Sequence, residues 1–176
     1  SGASEASMAQ WASAFTESAL GVSKTIGDLA GPCLFAVFMG ISRMLYGKMS
    51  EKLNLTKTML LSGLLCVACY LLASLSPVPI LGLAGCAICG FSVGIMWPGT
   101  ISLSSQKCPQ GGTAMFAFLA LAGDFGGTVS PAIVGKFSEL AGGNLKAGLL
   151  TATFFPILLV ACLLVLSRRM KSAIRK

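Results

Sequence analysis

The chain has 176 residues, 55% of them hydrophobic and 11% charged, with a formal net charge of +7. An ordinary soluble domain carries about 25% charged residues, so the composition excludes a water-solvated globule and points to a chain surrounded by lipid. The positive charge does not indicate nucleic acid, because the Lys and Arg residues lie in short gaps between apolar runs and at the C-terminus.

The sequence opens Ser1-Gly2 and carries no basic n-region of a signal peptide. The first apolar run, residues 2–14, is shorter than the roughly 20 residues a spanning helix needs. The expectation is a first span cut inside a helix, with earlier sequence missing. Glu5, Gln10 and Trp11 lie on it. Residues 15–23 are expected as its exit, with Ser23 as N-cap of the next helix. The second span is expected over residues 24–49. Gly31-Pro32 sits inside it, where a proline kinks a helix but is tolerated in membranes. Arg43 lies near its far end, within snorkelling reach of the interface. A charged loop follows through Lys48, Glu51, Lys52 and Lys57.

From Thr58 to Gln106 there is no charged residue, a run of 49 positions. As one helix it would measure about 74 Å, against a hydrocarbon core about 30 Å thick. Two spans must fold from it, and Ser76-Pro77-Val78-Pro79 is the turn between them. The third span is expected over 58–75 and the fourth over 79–104, interrupted late by Trp97-Pro98-Gly99. Two Cys-x2-Cys pairs, Cys66/Cys69 and Cys86/Cys89, imitate a zinc-ribbon spacing. Their neighbours are apolar, and metal-binding thiolates would be charged in hydrocarbon, so these cysteines are read as small packing residues.

The fifth span is expected over 113–135. It carries one carboxylate, Asp124, near its midpoint, then Gly126-Gly127 and Pro131. A charge at mid-membrane depth costs roughly 2.5–3.5 kcal/mol on insertion scales, and the usual reason for one is a solute or ion pathway. A polar turn through Gly142-Gly143-Asn144 leads to the sixth span, 147–166, and a basic tail from Arg168 to Lys176. Ten Lys and Arg residues fall on one side of this layout and three on the other. That bias places the loop after the second span, the loop after the fourth and the tail in the cytoplasm. Gly47-Lys48-Met49-Ser50-Glu51 recurs as Gly135-Lys136-Phe137-Ser138-Glu139, with four identities in five. One copy ends the second span inside and the other ends the fifth outside, as an inverted pair of three-helix units gives.

At the loop after the second span the chain resembles the C-terminal half of a major facilitator superfamily transporter. The family pattern there is G-x-L-x-D-R-x-G-R-K. Gly47 keeps the glycine, Met49 stands for the Leu, Glu51 for the Asp and Lys52 for the Arg, while Asn54 replaces the second Gly. The copy is degenerate, as C-terminal halves usually carry. Trp97-Pro98 with Ser102-Leu103, and Gly126-Gly127 with Pro131 and Gly135, resemble the fourth- and fifth-span endings of sugar-permease-like branches. Gly2-Ala3-Ser4-Glu5 resembles a first-span signature there, with a shift. The resemblance covers nearly the whole chain.

It implies an all-α integral membrane bundle of six transmembrane helices, the first truncated, built as an inverted three-plus-three repeat. It implies secondary active transport of a small polar solute, a sugar or organic acid, by alternating access, coupled to H+ or Na+. Import and extrusion both stay open, and an efflux carrier for amphipathic compounds is the rival within transport. A non-transporting membrane scaffold or receptor is the rival outside it. Asp124, Glu5, Gln10 and Trp11 are the candidates for substrate contact and ion coupling. Gly47, Glu51, Lys52 and Arg43 are candidates for gating, and Pro98 and Pro131 for helix kinks. The expected partners are the solute, membrane lipid and a missing six-helix N-terminal half, with no nucleic acid and no bound cofactor. The expected location is a bacterial plasma membrane. The chain has no histidine and no Gly-Lys-Ser/Thr phosphate loop, so enzymatic chemistry and ATP-driven transport are not expected.

Overall fold

The computed structural model describes residues 1–50 and 52–174, and among them there is no strand. Six helical rods run through these residues. The first, α1, is Gly2–Leu20. The second joins α2 (Lys24–Asp28), a π-helical turn (Leu29–Cys33) and α3 (Leu34–Met49). The third is α4 (Leu55–Leu75), and the fourth joins α5 (Pro79–Gly94) to α6 (Met96–Lys107). The fifth is α7 (Gly112–Leu140), and the sixth joins α8 (Leu145–Ala152) to α9 (Phe154–Ile174). Five of these rods are long and apolar enough to cross a bilayer: Lys24–Met49, Leu55–Leu75, Pro79–Lys107, Gly112–Leu140 and Leu145–Arg168.

The rods run further than the apolar runs alone suggest. The first does not exit at Ala14 but continues to Leu20, where Gly21 takes the left-handed conformation that ends it. Its late polar residues sustain the helix: the buried Thr16 hydroxyl donates to the Ala12 carbonyl at 2.7 Å. Serine and threonine hide their hydroxyls in this way without breaking a helix. The fifth rod continues past Gly135 to Leu140, with Lys136 and Glu139 paired at 3.6 Å one turn apart, and stops at Gly142 and Gly143, both with positive φ. Ser23 occupies the cap position as expected, but its hydroxyl makes no capping bond.

Prolines act one turn ahead of themselves. The fourth rod breaks at Ile95 and not at Trp97-Pro98-Gly99, because Pro98 has no N–H for the Gly94 carbonyl. The sixth breaks at Thr153, three residues before Pro156, by the same mechanism. Pro32 lies inside the π-helical turn, where the extra residue absorbs the missing bond.

The core sits where α1, α3, α4, α5, α8 and the start of α6 converge, on Met8, Phe15, Phe35, Tyr70, Val93, Met96 and Leu149. The buried Tyr70 hydroxyl donates to the Ser4 carbonyl at 2.7 Å, tying α4 to α1. A Cβ on Gly90 would collide with the Phe35 carbonyl oxygen, so glycine sets the close approach of α3 to α5. The four Cys-x2-Cys cysteines are buried in the α4–α5 packing, with Cys66 and Cys89 sulfurs 3.8 Å apart. Leu29, Leu61, Ile80, Phe118 and Leu140 are exposed, an apolar exterior suited to hydrocarbon.

Candidate functional site

The site is built on the contact between α1 and α7. Small residues let the two helices approach, and side-chain bonds fix their register. Ser130 donates to the Ala3 carbonyl at 3.0 Å, and the Trp11 indole N–H donates to the Pro131 carbonyl at 3.0 Å. Two glycines of α7 are seats for tryptophans. A Cβ at Gly135 would lie 3.0 Å from the Trp11 ring, and one at Gly123 would lie 2.9 Å from the Trp97 ring. Trp97 comes from the start of α6, so three rods meet here.

Along this seam opens a groove of about 520 Å³, lined by Glu5, Ala6 and Ala9 of α1, Arg43 of α3, Trp97 of α6, and Asp124, Gly127 and Thr128 of α7. Arg43 Nη2 stands 3.5 Å from Glu5 Oε1. With side chains 45% and 30% exposed, this pair is screened by solvent and holds geometry more than stability. Asp124 is exposed to the groove. The Thr128 hydroxyl gives its proton to the Asp124 carbonyl at 2.8 Å, leaving its oxygen as an acceptor.

The groove continues along α1. A second recess of about 520 Å³ shares Gly127 and Thr128 with the first and adds Gln10, Trp11 and Pro131. Pro131 has no N–H, so the Gly127 carbonyl lacks its helical partner and stands as a further acceptor in that wall. A third recess of about 470 Å³ shares Gln10 and Trp11 with the second and adds Ser13, Glu17, Lys24 and Asp28. There the Ser13 hydroxyl donates to Asp28 Oδ1. From Glu5 to Trp11 the helix rises about 9 Å, so the recesses form one polar track down a single face of the bundle.

Of the residues singled out by sequence, Asp124, Glu5, Gln10 and Trp11 all line this track. Arg43 joins them at Glu5, grouped with the substrate candidates and not with the loop. Gly47 and Lys52 are exposed at the far end of the second rod, away from the groove. Glu51 lies outside the described residues, as do Arg175 and Lys176 of the tail. Pro131 sits in the wall of the second recess inside an unbroken α7. Pro98 follows the Ile95 break and carries Trp97 toward the groove. The sequence reading missed Trp97 and Thr128 in the first recess, and Ser13, Glu17, Lys24 and Asp28 in the third. Thr128 was within reach, since it stands one turn beyond Asp124 on the same helix face. Trp97 comes from another rod, and no spacing rule announces it.

The first two recesses gather groups suited to holding a polar solute. Two carboxylates, a guanidinium, an amide and a hydroxyl offer hydrogen bonds to a polar solute, and two indole faces offer stacking. Among the described residues no group of three metal-ligating side chains converges.

The Major Facilitator Superfamily matches this chain over residues 2–176. No curated protein and no solved structure matches it.

Proposed function

The chain belongs to the Major Facilitator Superfamily, a family of membrane transporters, and from that premise we propose that it carries out secondary active transport of a small polar solute, a sugar or organic acid, by alternating access. The observation that supports this reading is the polar track along α1. Glu5, Arg43, Asp124 and Thr128 share one open groove on a bundle whose remaining surface is largely apolar. Charges at membrane depth are costly, and here they gather on one face. A second six-helix unit, of the kind the superfamily's two-half architecture implies, lies across this face and closes the pathway. The two units rock about the groove and open it to each side in turn.

In this reading Glu5, Arg43, Gln10 and Trp11 hold the solute. Asp124 takes the coupling ion, H+ or Na+. Gly47, Glu51, Lys52 and the helix end beside them bias one access state. The protein is multi-pass, and we place it in a bacterial plasma membrane.

The test is uptake of labelled sugars and organic acids into proteoliposomes holding the full-length protein, driven by an imposed pH or Na+ gradient. Gradient-driven uptake is the expected result, and Asp124→Asn abolishes the coupled component while membrane insertion is unchanged. Wild-type rates in Asp124→Asn remove that residue from the mechanism. Extrusion against the imposed gradient makes the protein an exporter. No flux of any solute leaves a scaffold or receptor.

A further inference from the structure

A recess larger than the groove lies elsewhere on the bundle. It is a cavity of about 880 Å³ between the end of α3, the following loop, the start of α4 and the ends of α6 and α9. Its polarity is graded. Leu60 and Leu103 form its deep wall, Tyr46 and Ser102 stand across from one another with their hydroxyls bonded at 3.0 Å, and Lys57 and Lys107 line it with exposed side chains. Ser50 and Asn54 at the two ends of the loop, and Thr56 in the first turn of α4, add polar groups to the rim. The two lysines come from different rods, and the proposed transport path uses neither.

By the Lys and Arg bias this end of the bundle is cytoplasmic, where the inner leaflet presents anionic headgroups. Leucines below and lysines above match an amphiphile with an apolar tail and an anionic head. The N-terminal end of α4, capped by Asn54 on the Lys57 N–H at 3.2 Å, adds its positive dipole to the same space. The loop's one carboxylate in sequence, Glu51, lies outside the described residues. Among the described residues that line the cavity none is acidic.

We propose that this cavity is a binding site for an anionic phospholipid of the cytoplasmic leaflet, with Lys57 and Lys107 clamping its phosphodiester and Leu60 and Leu103 receiving the first part of its acyl chains. The proposal rests on the membrane placement of the bundle and not on transport, so a chain that binds lipid but moves no solute still satisfies it.

The test is native mass spectrometry of the full-length protein released from nanodiscs of phosphatidylglycerol or phosphatidylcholine. The wild type is expected to retain phosphatidylglycerol and not phosphatidylcholine. Each lysine beside an anionic surface is worth a roughly fivefold gain, so Lys57→Ala with Lys107→Ala should cut retained phosphatidylglycerol about tenfold or more. Lys57→Arg with Lys107→Arg, which keeps both charges, should restore it, and circular dichroism checks that each variant keeps its helices. Lys48→Ala with Lys52→Ala, on the same side but outside the cavity, should change retention little. Equal loss in the two alanine pairs, or loss in neither, overturns the site in favour of diffuse attraction. Displacement of the lipid by millimolar inorganic phosphate alone overturns the lipid assignment in favour of a free-anion site.

Discussion

The α1–α7 seam and the α4–α5 seam are both made of small residues, yet they do opposite things. Between α4 and α5, Cys66, Cys69, Cys86 and Cys89 are all buried, and no charge intervenes. Between α1 and α7, the same kind of glycine spacing leaves a groove into which Glu5 and Asp124 open, with Arg43 reaching across from α3. Part of the difference lies in what individual glycines of α5 and α7 receive. Gly85 receives the Cys69 and Ala73 backbone of α4, which closes the seam, as Gly90 on the same helix receives the Phe35 backbone of α3. Gly123 and Gly135 receive tryptophan rings, which prop it open and give it an aromatic wall. A small-residue stripe fixes how near two helices come, and the partner's side chains decide whether the result is a core or a cleft.

That contrast can be broken from either side. The largest stability effect is expected where a glycine of α5 meets the backbone of α3. Gly90→Ala forces its Cβ into the Phe35 carbonyl and should cost roughly 1–3 kcal/mol, measured as a lower unfolding midpoint in detergent. The same change at Gly127, whose Cβ would meet only the Ala6 Cβ at 3.7 Å, should be nearly neutral. Equal losses at both positions would erase the distinction. Next in size is Trp11→Phe, which removes the indole bond to the Pro131 carbonyl and should cost about 1 kcal/mol. Thermal unfolding reads it, and solute uptake should fall further than stability alone explains. The smallest effect is expected from the Glu5–Arg43 pair. A cycle of Glu5→Gln and Arg43→Gln should give a coupling of about 0.2–1 kcal/mol that shrinks as salt is raised. A larger, salt-insensitive coupling would mean the pair is structural and the groove is closed.

Much of the architecture is written in hydropathy. The uncharged run from Thr58 to Gln106 is too long for one crossing, and Pro77 and Pro79 mark its turn, as the structure has it between Leu75 and Pro79. The ends of the rods were less legible. Thr16, Ser18 and Glu17 look like an exit in one dimension, yet two of them bond their own helix and prolong it. The breaks at Ile95 and Thr153 precede their prolines because a missing N–H is felt by the carbonyl four residues earlier. For the site, the charge at Asp124 drew attention by its cost alone, and Glu5 by its position on a polar helix. That the two share a groove is a tertiary fact, since 119 positions separate them. Trp97 and the Asp28 cluster were hidden for the same reason, and Arg43 was grouped with the nearest charged loop when its partner lay on another rod.

The central claim is that the face carrying Asp124 opens to water and the rest of the fifth rod to lipid. It is tested most directly by thiol accessibility in the full-length protein, with the exposed Cys33, Cys108 and Cys162 changed to serine. Thr128→Cys lies in the groove, and Phe118→Cys lies on the apolar exterior of the same helix. A membrane-impermeant maleimide reacts with thiolate, which needs water, so Thr128→Cys should label on the order of tenfold faster than Phe118→Cys, and a bound solute should slow it. Labelling of Phe118→Cys with Thr128→Cys inert would put the acid of α7 against lipid and contradict the account.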